Sequence, residues 1–346
     1  MVGPPPAVAA VRVAVRSTLR ELPRGGTVLV ACSGGPDSTA LAAAVAFEAP
    51  RAGLVAGLVT VDHGLQAGSA ERAAAVVDWG LKRGFAFASV LPVVVSGPGG
   101  PEAAARQARY SALDSVAAAH DAAAVLLGHT ADDQAETVLL GLARGSGTRS
   151  LAGMAPRRGS YHRPLLGLAR SVTHAACAEE SLPTWDDPHN VDPSYARSRV
   201  RALLPALDAA AGGGLIAGLA RSARLLRADA ELLDSLAVEV AARARVPVDF
   251  PHAVGPTNPA APAAIDLDRH GLDVQVLADA HPALRGRVLR RWAIELGAPP
   301  GALAATHVDA LDALVTRWHG QGPVHLPGGI QVARSGGVVC EDLPRL

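Results

Sequence analysis

At 346 residues, 49% of them apolar and 18% charged, the chain is long enough to bury more than one core and too apolar to be disordered. Its formal net charge is zero, so no case for nucleic acid can rest on the whole chain, only on where the charges sit. Cys32, Cys177 and Cys340 are isolated in sequence, which excludes a zinc knuckle or a disulfide framework and leads us to expect a reducing, cytoplasmic setting.

In chain order, Arg12, Arg16 and Arg20 interrupt an apolar N-terminal stretch at helical spacing, predicting an amphipathic helix rather than a signal peptide. No apolar run reaches the length needed to cross a bilayer. Four apolar runs suited to buried strands follow, at Val28–Cys32, Leu54–Val61, Phe87–Val95 and Ala123–Gly128. Helical stretches lie between and after them, at Asp37–Phe47, Ser69–Arg83, Pro101–His120 and Ala131–Arg144. This alternation predicts an α/β fold with a doubly wound parallel sheet, whose ligands bind beyond the carboxyl ends of the strands. The loops to search are Ser33–Ser38, Asp62–Gly68, Ser96–Gly100 and the segment at His129.

From Gly145 to about Tyr195 the pattern dissolves into Gly, Pro, Arg and His, with one predicted helix near Ser171–Glu180, as a functional surface would. Helical periodicity returns at Ala196–Leu207 and Leu215–Arg245, and Gly255–Pro262 reads as a surface loop. Helices at Pro282–Leu296 and Ala304–Trp318 and short strands at Val324–Leu326, Gln331–Arg334 and Val338–Cys340 complete a small α+β domain. The expected organisation is an N-terminal domain over 1–210 with its core at about 25–205, a long helix or linker over 211–255, and a small C-terminal domain over 256–346.

Charge is unevenly placed. From Arg144 to Arg227 twelve arginines face six acids, and Arg144–Arg170 holds six arginines and no acid. That reads as a solvated basic surface or as a grip for phosphates.

The first strand runs into Ser33-Gly34-Gly35-Pro36-Asp37-Ser38 and then a helix. Two glycines let the backbone approach an anion, the helix start adds a favourable dipole, and Pro36 costs nothing in the first turn. Alone, such a turn reads as readily as a capped helix start. The whole string lacks the lysine of a Walker loop and resembles the signature of the PP-loop ATP pyrophosphatases. Val61-Asp62-His63-Gly64-Leu65, His129-Thr130-Ala131-Asp132-Asp133-Gln134-Ala135-Glu136-Thr137, Arg144-Gly145-Ser146-Gly147 and Trp185-Asp186-Asp187-Pro188-His189-Asn190 narrow the match, together with Tyr195-Ala196-Arg197 and Arg201. Combined, they resemble the tRNA(Ile)-lysidine synthase family over roughly residues 25–205, with Ala105-Arg106 and Ala108-Arg109-Tyr110 also fitting. Gln66 stands where that family usually has arginine, and Ser198 where asparagine is common.

The resemblance implies an adenine nucleotide α-hydrolase-like, Rossmann-like domain that uses ATP and Mg2+. It implies transfer of AMP to the C2 oxygen of the wobble cytidine of a CAU-anticodon isoleucine tRNA, and attack by the ε-amine of L-lysine. Ser33, Gly34, Gly35, Pro36, Asp37 and Ser38, with Val61 and His63, would hold ATP, and Asp37 would lie near Mg2+. Arg109, Asp133 and Glu136 would receive lysine, with Asp37, Asp133, Glu136 and Arg201 as the catalytic set. Arg144, Arg149, Arg163, Arg197 and Arg201 would grip tRNA, and a homodimer is compatible with all of this.

Competing accounts exist for several of these groups. Thr130 and Asp133 have the spacing of a capping box, and Asp132, Asp133 and Glu136 read equally as a solvated acidic patch. His63 reads as a satisfied loop histidine and Arg109 as cover for its helix. The rival functions are a PP-loop tRNA thiolase, another PP-loop ligase, and a non-catalytic nucleotide sensor.

Overall fold

The computed structural model describes residues 3–64, 66, 68–95, 101–185, 187, 192–248 and 270–342, and divides into two compact units, Met1–Arg227 and Ala228–Leu346. The expected loop at Ser96–Gly100, the Pro-rich Gly255–Pro262, and Asp186 with Pro188-His189-Asn190 lie outside the described residues.

The first unit opens with α1 (Pro6–Leu19), whose Val8, Val11, Val15 and Leu19 are buried at helical spacing. Arg16 on its outer side reaches Glu48 through two bonds of 2.8 and 2.7 Å, which satisfies a carboxylate that is itself buried. Next come β1 (Thr27–Ala31), α2 (Pro36–Glu48), β2 (Val55–Asp62), α3 (Ser69–Lys82), β3 (Phe87–Pro92), α4 (Pro101–Ala119), β4 (Ala122–Leu127) and α5 (Ala131–Ala143). Each predicted element is present, with ends moved by a few residues.

The sheet has the order β3-β2-β1-β4, with all these neighbours parallel. The side-chain alternation of strands sorts its apolar runs onto two faces. Val28, Val30, Leu58, Ala124 and Leu126 pack with α1 and α2, while Leu29, Val59, Val125 and Leu127 pack with Leu113 of α4. Both faces are thus dry, which is why the strands carry unbroken apolar runs.

In the stretch expected to be irregular, the structure adds α6 (Thr148–Leu151) and a short antiparallel pair, β5 (Arg157–Arg158) with β6 (Tyr161–His162). β6 extends the sheet beside β4. Strands of two residues are too short to show any periodicity. The expected helix is α7 (Arg170–Glu179), followed by α8 (Ala196–Ala210) and α9 (Leu215–Ala244). The segment expected as a long helix or linker over 211–255 holds α9, and the division between the units falls inside that helix.

The second unit holds β7 (Arg245–Pro247), β8 (His270–Asp273), α10 (Val274–Asp279), α11 (Pro282–Glu295), α12 (Ala305–Thr316), β9 (Val324–Leu326), β10 (Ile330–Ser335) and β11 (Val338–Glu341). Its antiparallel sheet has the order β7-β8-β11-β10-β9, over a core that includes Leu272, Leu289, Trp292, Leu311 and Val332. Arg285 is buried there and donates to Asp312 at 2.6 Å, a structural pairing. Among the described residues no single helix is long and apolar enough to cross a membrane.

Candidate active site

β1 has β2 on one side and β4 on the other, so the chain reverses its winding direction at the β1/β4 pair. Such a switch point opens a crevice at the carboxyl ends of the strands. A cavity of about 480 Å³ lies there, lined by residues of the strings that begin at Ser33, Val61, His129 and Trp185 and by Arg109, Arg197 and Arg201.

The loop after β1 is built for close approach. Gly34 has φ +83, where a side chain would be strained, and Gly35 sits at the N-cap of α2 with Pro36 behind it. Ser38 Oγ accepts from the Ser33 amide at 3.1 Å and donates to Gly35 O at 3.0 Å, closing the loop on itself. The first N–H groups of α2 lack intrahelical acceptors by construction, and they sit at the positive end of the helix dipole. Gly128, at the end of β4, faces this turn so tightly that a Cβ there would stand 3.0 Å from Asp37 O and from both Ser38 N and Cα. Ser33, Gly35, Pro36, Asp37 and Ser38 all line the cavity, as do Val61 near the end of β2 and His63 just beyond it.

The start of α5 supplies the acids. Asp133 Oδ2 accepts from the Thr130 amide at 2.8 Å and from its hydroxyl at 3.0 Å, so the capping-box reading is correct. The solvated-patch reading is not: Asp133 is buried and Glu136 is fully so. Both carboxylates are held by arginine. Arg170 Nη2 lies 2.9 Å from Asp133 Oδ1 and 3.1 Å from Glu136 Oε1, while its Nε lies 3.5 Å from Asp37 Oδ2. Arg201 donates Nε to Glu136 Oε1 at 2.7 Å and Nη2 to Oε2 at 3.1 Å, and lies 3.4 Å from Asp133. Arg197 stands 3.8 Å from Glu136.

The two carboxyls nearest the loop are pushed apart in acidity. Burial raises the pKa of Asp37 against the Thr173 hydroxyl bond and Arg170. Burial also opposes ionisation of Asp133, but Arg170 and the Thr130 amide more than offset it, so its pKa falls below the usual carboxylate range. His129 beside them is driven down to about 4 by burial and by Arg163, Arg109 and Arg197, against the pull of Asp133, so it is neutral at physiological pH. Its Nδ1 is buried without a hydrogen-bond partner. Arg109 lines the same cavity, and burial with the nearby Arg106 and Arg197 disfavours its charge, so an incoming anion would be welcome.

Not every expected residue meets the cavity. Arg197 and Arg201 line it, whereas Glu136 lies behind them. Arg144 and Arg149 are exposed on the surface after α5. Arg163 is buried and spends Nη1 on Ala155 O at 2.9 Å, a placement suited to structure rather than to gripping RNA. Gln66, in place of the resembled family's arginine, donates to Asp187 at 2.9 Å and accepts from Arg72, whose guanidinium stacks on Trp185. Sequence reasoning missed Arg170 as a site residue. Its identity is visible, but nothing in its neighbourhood marks one arginine of six as inward-facing.

These geometries agree with what the chain is similar to. A PP-loop domain model matches residues 11–207, and a TilS substrate binding domain model matches residues 272–339. The tRNA(Ile)-lysidine synthase of Salinispora tropica is 56% identical, covering 96% of this chain and 95% of that protein. That of Thermobifida fusca is 54% identical with 98% of each chain covered, and that of Streptomyces coelicolor 50% identical. Among solved structures, a U34-tRNA thiolase from Methanococcus maripaludis shares the fold, with a TM-score of 0.54 at 19% identity over 64% of this chain and 80% of that one. With a glycine turn and an acid-bearing helix facing one crevice, and with such relatives matching 96–98% of its length, the chain belongs to the tRNA(Ile)-lysidine synthase family of ATP-using PP-loop ligases.

Proposed function

We propose that this chain joins lysine to C2 of the wobble cytidine in isoleucine tRNA bearing a CAU anticodon. In the first step the C2 oxygen attacks the α-phosphorus of ATP. An O–P bond forms, the α–β anhydride breaks, and pyrophosphate leaves. In the second, the lysine ε-nitrogen attacks C2, the C2–O bond breaks, AMP leaves, and the ammonium-derived proton passes to a nearby base. The observation that carries this reading is the opening of the phosphate-binding turn and of Asp133 into the same cavity, with Glu136 directly behind.

A free lysine amine is mostly ammonium near neutral pH, and stripping its proton costs roughly 4–5 kcal/mol from a reference pKa near 10.4. An acid cluster attracts the cation and can take its proton at the moment of attack. Asp133 and Glu136 fill that role here, and Arg109 is a suitable partner for the lysine carboxylate through its planar fork. Asp37 is the carboxylate of the phosphate turn that lines the cavity, an oxygen donor of the kind Mg2+ takes alongside phosphate oxygens. Mg2+ bound there would neutralise the pyrophosphate. The flipped-out base needs its strand held by phosphate contacts, for which exposed Arg144 and Arg149, and Arg197 and Arg201 at the cavity, are candidates.

Sulfur transfer is disfavoured. Cys32 is the one cysteine lining the cavity, and burial raises its pKa, which keeps the thiol protonated. Incubation with CAU-anticodon isoleucine tRNA, ATP and labelled lysine, followed by nucleoside analysis, tests the proposal. The expected result is label in a modified cytidine with stoichiometric AMP and pyrophosphate. Pyrophosphate release without labelled nucleoside would reject it.

A further inference from the structure

α7 touches both halves of the site at regular spacing. Its first residue, Arg170, pairs with Asp37, Asp133 and Glu136 through a side chain only 19% exposed. Its backbone amide also donates to Asp132 Oδ2 at 2.7 Å, which fixes the start of α7 against the start of α5. One turn later Thr173, fully buried, donates its hydroxyl to Asp37 Oδ1 and lies 2.7 Å from Arg170 O. A further turn on, Cys177 Sγ donates to Pro36 O at 3.2 Å. Residues 170, 173 and 177 share one helical face, and that face meets the first turn of α2. The flanking backbone repeats the pattern, with Ala131 N donating to Leu168 O at 2.8 Å and Trp185 N to Gly34 O at 2.9 Å.

We infer that α7 is a clamp between the phosphate turn and the acid helix, with Arg170 and Thr173 as positioning residues for the reaction rather than contacts for RNA. The side chains of Arg170, Thr173 and Cys177 reach Pro36, Asp37 and Asp133, which line the cavity, and Glu136 behind them. Two catalytic loops on different strands have no covalent reason to keep a fixed separation, and productive in-line geometry tolerates errors well below an ångström. A single guanidinium shared among three carboxylates sets that separation and relieves the mutual repulsion of Asp37 and Asp133. The hydroxyl of Thr173 then fixes the rotation of the Asp37 carboxylate, as outer partners do for catalytic groups.

The inference rests on the ligation reading for its turnover measurement only. Thr173→Val keeps the shape of the side chain and removes one hydrogen bond. In the nucleotide-free protein it should speed amide hydrogen exchange across residues 33–38 several-fold while exchange in β1 is unchanged. With CAU-anticodon tRNA, ATP and lysine it should lower kcat about 10- to 100-fold, with tRNA Kd and its salt slope as in the unsubstituted protein. Arg170→Ala should lose more, and Arg170→Lys should regain only part, since an ammonium cannot bridge three carboxylates in a fork. Unchanged exchange and kcat in Thr173→Val would overturn the clamp. So would an Arg170→Ala defect confined to tRNA affinity and salt slope. Should the unsubstituted protein make no modified cytidine, the ligation reading falls while the exchange measurement still judges the clamp.

Discussion

Single residues at this site bear on stability as well as on the proposed chemistry. A solvated carboxylate could be removed at little cost to the fold, but Glu136 is fully buried and paired with Arg170 and Arg201. Removing it strands part of two guanidiniums, so the variant should lose ~2–4 kcal/mol of stability as well as lysine incorporation. Urea unfolding measures the first effect, and Glu136→Gln should recover part of it by restoring shape and one acceptor. An unfolding midpoint equal to that of the unsubstituted protein would show that the pairs contribute nothing net. His129 makes a second residue-scale prediction. Its folded pKa of about 4 lies below its ordinary 6.5, so the unfolded chain binds more protons between these values. Stability is therefore full above pH 6.5 and falls as pH drops toward 4, by on the order of 3 kcal/mol from this group alone. Thermal midpoints from pH 7 to 4.5 should drop less steeply in His129→Gln.

At the scale of elements, the strands and helices announce themselves because each has one periodicity over many residues. β1, β2 and β4 are largely apolar on both faces because α1 and α2 cover one face and α4 the other. The consequence for the site is how close β4 can bring α5 to α2, and Gly128 sets that limit. Gly128→Ala would drive a methyl to 3.0 Å from the backbone of Asp37 and Ser38, so the Ser33–Ser38 turn must shift. The expected outcome is at least tenfold weaker binding of a non-hydrolysable ATP analogue, or about 1.4 kcal/mol. Binding at the original strength would mean that the turn has slack. β5 and β6, by contrast, were unreadable, since two-residue strands exist only through their pairing with β4 and each other.

For the whole molecule, a net charge of zero conceals the arginine surplus between Arg144 and Arg227, and the fold divides that surplus by role. Arg170 and Arg201 face carboxylates, Arg163 is buried on a carbonyl, and Arg144 and Arg149 are exposed. Joint replacement of Arg144 and Arg149 by alanine should weaken tRNA binding and reduce the slope of log K against log salt by roughly one per lost phosphate contact. Arg163→Ala should instead cost ~1–3 kcal/mol of stability and leave that slope alone. Filter binding at several salt concentrations, with a melting curve for each variant, separates the two groups.

The amino-acid order by itself determined the α/β class, the site-bearing loops and the reading of the Ser33–Ser38 turn, because backbone freedom, helix starts and side-chain periodicity are local properties. Only the tertiary structure decided which arginines face inward, that Glu136 is buried rather than solvated, and that α7 joins the two loops. Those facts depend on residues such as Asp37 and Thr173, 136 positions apart in the chain, being brought into contact by packing, and no local pattern encodes a partner at that distance.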